Sequence, residues 1–176
     1  MIETVRGLNE LENILMNDKN HNLFERIHYG NFDYCASAKL WPFLDPYHDR
    51  FWEIIEFIVK LLVSYQKSYV HTPFPFPQNK ILFWESIKKL NDIDNDLNFW
   101  ACCVNSQLAI SKQPSKIKNI EIKKYEFSQK EKINEANKIY NNFLEGRSLK
   151  RSFGVKNNRF IAPHQFMTAK NFLKKN

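Results

Sequence analysis

Glycine and cysteine are scarce in this chain of 176 residues, which contains four Gly and three Cys. So few glycines argue against a turn-rich β-sandwich and against a glycine-lined nucleotide fold. The cysteines (Cys35, Cys102 and Cys103) are odd in number and lack the C-x-x-C spacing. Neither a disulfide framework nor a standard zinc site is therefore predicted. We expect a reducing compartment and a cytoplasmic protein.

Long hydrophobic runs are missing as well. The longest apolar stretch, from Phe51 to Val63, is interrupted by Glu53, Glu56 and Lys60, so we expect no segment that crosses a membrane. The beginning of the chain, from Met1 to Asp18, also lacks the charged-then-apolar layout of a signal peptide. We therefore predict a soluble protein without a membrane partner.

Acidic side chains are absent from the C-terminal segment, Gly146 to Asn176, which contains eight Lys or Arg. The preceding part of the chain, Met1 to Glu145, holds 18 basic and 19 acidic side chains (26 − 8 = 18), so the formal net charge of +7 arises locally. A one-sided concentration of cations attracts polyphosphate, either a nucleic-acid backbone or a triphosphate group. Ser148 to Gly154 places cations beside Phe153, which favours a built loop over a solvated tail.

Helical periodicity dominates the rest of the sequence. Start signals such as Asp45-Pro46 and the Ser128–Glu131 capping box precede stretches of apolar residues at three- and four-residue spacing. The spacing predicts helices over 8–15, after Asp45-Pro46, over 79–90, 96–110 and 128–146, and from Pro163 to Leu173. No linker or repeat divides the chain. We predict a single all-α domain over 1–176, with an irregular basic segment, 146–176, folded back against the start of the helix at Asp45-Pro46.

The stretch His71 to Pro77 contains three prolines and cannot be helical. We interpret it as an extended connector that packs its two phenylalanines on the body of the protein. The alternative is an interaction site for another protein. The two interpretations differ in whether Phe74 and Phe76 are buried.

His48, Asp49 and Arg50 stand at the predicted start of the helix that follows Asp45-Pro46. Backbone N–H groups are free at a helix start and the helix dipole is positive there, so an anion is favoured. His48 and Arg50 supply the cations that would hold it. The alternative is that Asp49 caps or charge-complements the first turn and Arg50 is solvated.

The basic segment supplies the remaining candidates for a binding site. Lys150 and Arg151 provide cations for the phosphates of a nucleotide. Phe153 offers a ring on which a base of a single strand can stack. The residues predicted to contact nucleic acid are Arg147, Phe153, Lys156 and Arg159. A disordered basic terminus is the alternative, but the later apolar residues favour packing: Phe160, Ile161, Phe166 and Phe172.

These segments together resemble the C-terminal domain of the large subunit of eukaryotic-type DNA primase. In that family a Phe/Pro-x-Cys segment precedes a helix with a His/Arg cluster. A later loop, roughly Arg-His-x-Phe/Tyr-Gly, precedes a proline and a helix. The matching parts of this chain are Phe32-Asp-Tyr-Cys35, His48-Asp49-Arg50, and Lys150 to Gly154 followed by Lys156, Arg159 and Pro163.

The departures from the family pattern are informative. The Arg-His pair is Lys150-Arg151 here, and the His/Arg cluster is reduced to His48 and Arg50. The family binds an iron–sulfur cluster through four cysteines, of which only Cys35 has a counterpart, so we expect no cluster and no metal. In this respect the chain is similar to the non-catalytic third subunit of archaeal primases, a cluster-less relative of that domain.

The resemblance implies an accessory subunit rather than an enzyme. Its implied partners are the catalytic and large subunits of primase, single-stranded DNA template and a nucleoside triphosphate. Holding two reactants together removes much of the entropy cost of the first bond. We predict that His48, Arg50, Lys150 and Arg151 converge on the triphosphate of the initiating nucleotide, because two cations at a helix start cannot neutralise it alone.

Two other classes of function stay open. One is a helical module that grips a nucleic-acid backbone by charge in another ribonucleoprotein complex, and dependence on a triphosphate separates it from the primase subunit. The other is a protein-binding adaptor or inhibitor that uses the aromatic, proline-rich stretch 71–77. Indifference to nucleic acid would favour this last class.

Overall fold

The computed structural model describes residues 1–18, 23–76, 78–101, 112–148, 154–156 and 159–176, with only the backbone for 147–148, 154–156 and 159–160. The helices of this part are α1 (Val5–Asn9), α2 (Leu11–Asp18), α3 (Asn31–Ser37), α4 (Asp49–Ser64), α5 (Lys80–Ile93), α6 (Gln129–Ser148) and α7 (Pro163–Leu173). The strands are β1 (Arg26–His28), β2 (Ser68–Val70), β3 (Phe99–Trp100), β4 (Gly154–Lys156) and β5 (Arg159–Ile161).

Strands β1, β2 and β3 form a parallel sheet in that order. Ile27 pairs with Tyr69, and Tyr69 pairs with Phe99. Neighbouring parallel strands need crossover connections, which contain α3 and α4 between β1 and β2, and α5 between β2 and β3. The all-α prediction is therefore wrong, and the protein has a mixed α/β fold.

The length of the strands explains this error. Each strand of the parallel sheet has only two or three residues, too few to show the two-residue alternation by which a strand is recognised in a sequence. Phe99 and Trp100 lie in β3, inside the range 96–110 where apolar spacing predicted a helix. The rest of that predicted helix, from residue 102 onward, falls outside the described residues.

Helix α4 packs one apolar face into the core, as its sequence predicts. Its buried residues recur at three- and four-residue spacing: Phe51, Trp52, Ile55, Ile58, Val59 and Leu62. The helix begins at Asp49, so Pro46 precedes its first turn rather than lying in it. None of the helices in the described ranges is long and apolar enough to cross a membrane.

The proline-rich connector lies in the core. His71, Thr72 and Phe74 are buried, and the half-buried ring of Phe76 packs against Tyr47 with 5.7 Å between ring centroids. Residues 71–76 are therefore a packed connector rather than an exposed interaction site. Pro77 falls outside the described residues.

The C-terminal segment is folded rather than irregular in its described parts. Strands β4 and β5 are antiparallel, and α7 has the predicted bounds, Pro163–Leu173. Phe166 holds α7 on α6, since its ring stacks on Tyr140 and Phe143 at centroid distances of 5.3 and 4.3 Å. Helix α7 thus packs on α6 and α3, whereas the sequence led us to expect the segment at the start of α4. Lys123 and Tyr125 make hydrogen bonds to that helix start.

Candidate nucleotide and nucleic-acid site

The start of α4 is bonded to an irregular segment, residues 112–127, which we call the strap. The N–H of Lys123 donates to the carbonyl of Tyr47 at 2.8 Å, and the carbonyl of Lys123 accepts from the N–H of Asp49 at 2.9 Å. The Asp49 side chain accepts from the N–H groups of Arg50 and Tyr125, at 2.6 and 2.9 Å. N–H groups that we expected to be available for an anion are therefore bonded within the protein. This favours the alternative in which Asp49 caps or charge-complements the first turn, of which it is the first residue.

His48 is largely buried and faces an acid. Its Nδ1 atom lies 3.0 Å from Oδ1 of Asp45, and the two side chains are only 14% and 10% exposed. Nδ1 has no hydrogen-bond partner of good geometry, so its approach to Asp45 is not a directed hydrogen bond. The rings of Tyr125 and Phe127 lie edge-on to the imidazole, at centroid distances of 5.4 and 5.3 Å. The nearest carboxylate to His48 is thus the buried side chain of Asp45.

A cavity of about 350 Å³ lies beside His48, with α6 as one wall. Its charged lining consists of three carboxylates and one ammonium group: Asp45, Glu131, Glu135 and Lys138. Such a lining favours a cation over a polyphosphate, because like charges repel in a partly enclosed space. A triphosphate at the start of α4 would therefore lie on the outer, solvent-facing side, where Arg50 is located.

Arg50 is exposed at the start of α4. Its guanidinium carbon lies 5.9 Å from the centroid of the Tyr125 ring, a cation–π contact that orients the group while its N–H edges can still meet a phosphate. Lys123 and Lys124, both exposed, are carried to the same helix start by the backbone bonds of the strap. These two lysines were not among the site residues predicted from the sequence.

The predicted site residues of the basic segment are described only in part. Three of them lie outside the described residues: Lys150, Arg151 and Phe153. Arg147 belongs to the last turn of α6, and Lys156 pairs with Arg159 across the β4–β5 hairpin, with only the backbone described. The convergence of Lys150 and Arg151 on the start of α4 stays a prediction.

The two blocks that carry the resemblance contain elements that are neighbours in the fold. Helix α3, which includes Cys35, packs against α7. Nε2 of His164 lies 3.1 Å from Oδ1 of Asp33, and the ring of Trp41 contacts that of Phe172 at a centroid distance of 6.1 Å. The helix that follows the basic loop is therefore attached to the segment that contains the matching cysteine.

Cys35 is a buried thiol. Its Sγ atom donates to Oδ1 of Asn31 at 3.5 Å and accepts from the N–H of Leu44 at 3.4 Å. Burial raises the pKa of Cys35 to about 12, so the thiol is protonated at neutral pH. In the described ranges no group of three or more His, Cys, Asp or Glu is arranged to hold a metal ion. That the protein has no iron–sulfur cluster stays a prediction.

No protein-family model matches the chain, and no curated protein has a matching sequence.

Proposed function

We propose that the protein is a non-catalytic primase subunit that binds single-stranded template DNA and the triphosphate of the initiating nucleotide. The observation that carries the proposal is the charge asymmetry. The segment 146–176 holds eight cations and no acid, while the rest of the chain sums to nearly zero. Cationic surfaces bind nucleic acid by replacing the counterions of its phosphates. The proposal includes catalytic and large primase subunits as partners, a cytoplasmic location and no cofactor of its own.

The described elements on both sides of residues 149–153 are folded. Helix α6 ends at Ser148 and β4 begins at Gly154, and β4 packs against α6. The basic stretch between them in the sequence therefore has a folded element on each side, which supports the proposal.

The contact between α3 and α7 is compatible with the proposal. In that family the cysteine segment and the helix after the basic loop belong to one domain. Here the His164–Asp33 pair joins the corresponding elements at 3.1 Å. The matched blocks thus contain elements that are neighbours in this protein.

A backbone-binding module of another ribonucleoprotein complex is the second candidate, since the same charge asymmetry supports it. Such a module would bind a strand without needing a triphosphate. An adaptor that uses stretch 71–77 has less support, because His71, Thr72 and Phe74 are buried in the core.

Replacing Lys150 and Arg151 together by alanine should weaken binding to single-stranded DNA by more than tenfold. Each charge-assisted contact to a phosphate contributes about 1.5–3 kcal/mol. The slope of log K against log[salt] should also fall by about 1.4, at about 0.7 per lost phosphate contact. Both quantities can be measured by fluorescence anisotropy with a labelled oligonucleotide. The matched control is Lys174→Ala with Lys175→Ala, which removes two exposed cations at the end of the chain. Equal binding by the two double variants would place the site elsewhere.

Arg50→Ala and Arg151→Ala should each impair primer initiation, while extension of a preformed primer is spared. The triphosphate of the first nucleotide is needed only for the first bond, and loss of one contact of about 1.5–3 kcal/mol corresponds to at least a tenfold loss. Initiation and extension would be assayed with the catalytic partner that co-purifies from native cells. Lys80→Ala, an exposed cation at the start of α5, serves as control. An equal loss in both steps would indicate general template binding and favour the second candidate.

A further inference from the structure

The strap has a large excess of exposed positive charge. Residues 112–127 contain five lysines and two glutamates. All five lysines are exposed: Lys112, Lys116, Lys118, Lys123 and Lys124. None of them forms an ion pair with a residue of the described part of the chain. The formal charge of residues 1–145 is therefore close to zero in total, although the strap forms a local basic surface within them.

The strap is fixed to the body at several points. Ile120 is buried, and residues 113–122 line two clefts whose other walls are formed by α5. Near its end, Lys123 and Tyr125 make their backbone bonds to the start of α4. The five ammonium groups thus extend from a segment that is already ordered by its own packing.

The acids that lie near the strap do not cancel its charge. Glu85 and Asp92 of α5 line the cleft beside residues 119–122, but Lys89 lines the same cleft. Asp92 is also paired with Lys88, with 2.5 Å between Oδ2 and Nζ. The charges of α5 at this cleft are therefore balanced among themselves, and the excess on the strap remains.

We propose that the strap forms a second phosphate-binding surface, along which the backbone of a single-stranded nucleic acid runs. The inference rests on the proposed function in that the bound polymer is the same, but the surface belongs to the body rather than to the basic segment. The chain from Lys112 to Lys124 spans at most about 40 Å when extended, which suits a linear polyanion.

The test compares two triple variants of the full chain with the same formal charge. Lys116→Gln, Lys118→Gln and Lys124→Gln alter the strap. Lys60→Gln, Lys80→Gln and Lys130→Gln alter exposed positions elsewhere. Each set lowers the formal net charge from +7 to +4.

We expect the strap variant to bind a labelled 30-nucleotide single strand at least tenfold more weakly than the control variant. Its slope of log K against log[salt] should be smaller by about 2, at about 0.7 for each lost contact. All six side chains face solvent, so we expect both variants to retain the fold. Circular dichroism of both variants checks this.

The outcomes separate this inference from the proposed function. Equal affinity and equal salt slope for the two triple variants would overturn the strap surface, while a loss caused by Lys150→Ala with Arg151→Ala would still support the proposed function. The inference would also be overturned if the strap bound poly-L-glutamate as tightly as it binds single-stranded DNA, since that would indicate a surface for acidic proteins. Absence of DNA binding by the unaltered protein would contradict both proposals.

Discussion

Replacing Phe143 by alanine is expected to lower the free energy of unfolding by about 3–5 kcal/mol. Phe143 is 5% exposed, and its ring stacks on that of Phe166 at a centroid distance of 4.3 Å, in the contact that holds α7 on α6. The shorter side chain leaves a cavity between the two helices, which adds to the loss of apolar burial. Urea titration followed by circular dichroism measures the change.

The neighbouring residue provides the control for this substitution. Leu144 is 43% exposed on the same turn of α6, so Leu144→Ala should change the stability by less than about 1 kcal/mol. Phe143→Ala should in addition speed proteolytic cleavage within residues 146–176, because α7 loses its support. Similar stabilities for the two variants would contradict the packing of α7 on α6.

His71 makes the stability of the protein depend on pH. It is 3% exposed, and its ring stacks on Trp52 at a centroid distance of 6.3 Å, with Nδ1 located 3.2 Å from the hydroxyl of Tyr69. Burial, helped by the charge of His28, lowers the pKa of His71 from 6.5 to about 3. Between these two values the unfolded chain binds a proton at His71 that the folded chain does not bind, so stability falls as pH falls.

The free energy of unfolding should therefore drop by about 3 kcal/mol between pH 7.5 and pH 4.5. The half-buried His28, whose pKa is also lowered by burial, acts in the same direction. His71→Phe should remove most of this pH dependence, whatever its stability at pH 7.5. His164→Gln, which alters a partly exposed histidine at the start of α7, should keep it. Denaturant titrations at several pH values measure this dependence. If the free energy of unfolding of His71→Phe changed with pH as much as that of the unaltered protein, His71 would not be held neutral.

Helices with strong local periodicity could be predicted from the sequence, and short strands could not. Pro163 at the start of α7 and the capping box at Ser128 are local signals, and both mark helices in the structure. The pairing of Ile27 with Tyr69 has no local signal, because α3 and α4 lie between these two positions in the sequence. Parallel pairing of such short strands depends on the tertiary packing of the crossover helices, which no short window of sequence contains.

The candidate site was predictable to a similar extent. Arg50 could be placed at a helix start from Asp45-Pro46 alone, and it lies in the first turn of α4. The contact of Lys123 with Asp49 joins segments that are far apart in the sequence, so no local pattern links them. The lysines of the strap can be read from the sequence. In a charge sum from Met1 to Glu145, however, their positive charge is cancelled by acidic residues that lie elsewhere in the fold.

The order of the parallel sheet has a consequence for the time course of folding. Arg26 of β1 pairs with Ser68, and Tyr69 of β2 pairs with Phe99, so no strand of this sheet can pair with a segment made just before it. On the ribosome, β1 must wait for about 40 further residues to be synthesised, which takes seconds at about 5–20 residues per second. Contacts of such large sequence separation also slow folding. We therefore expect the amino-terminal half of the nascent chain to be a binding site for chaperones until β2 has emerged.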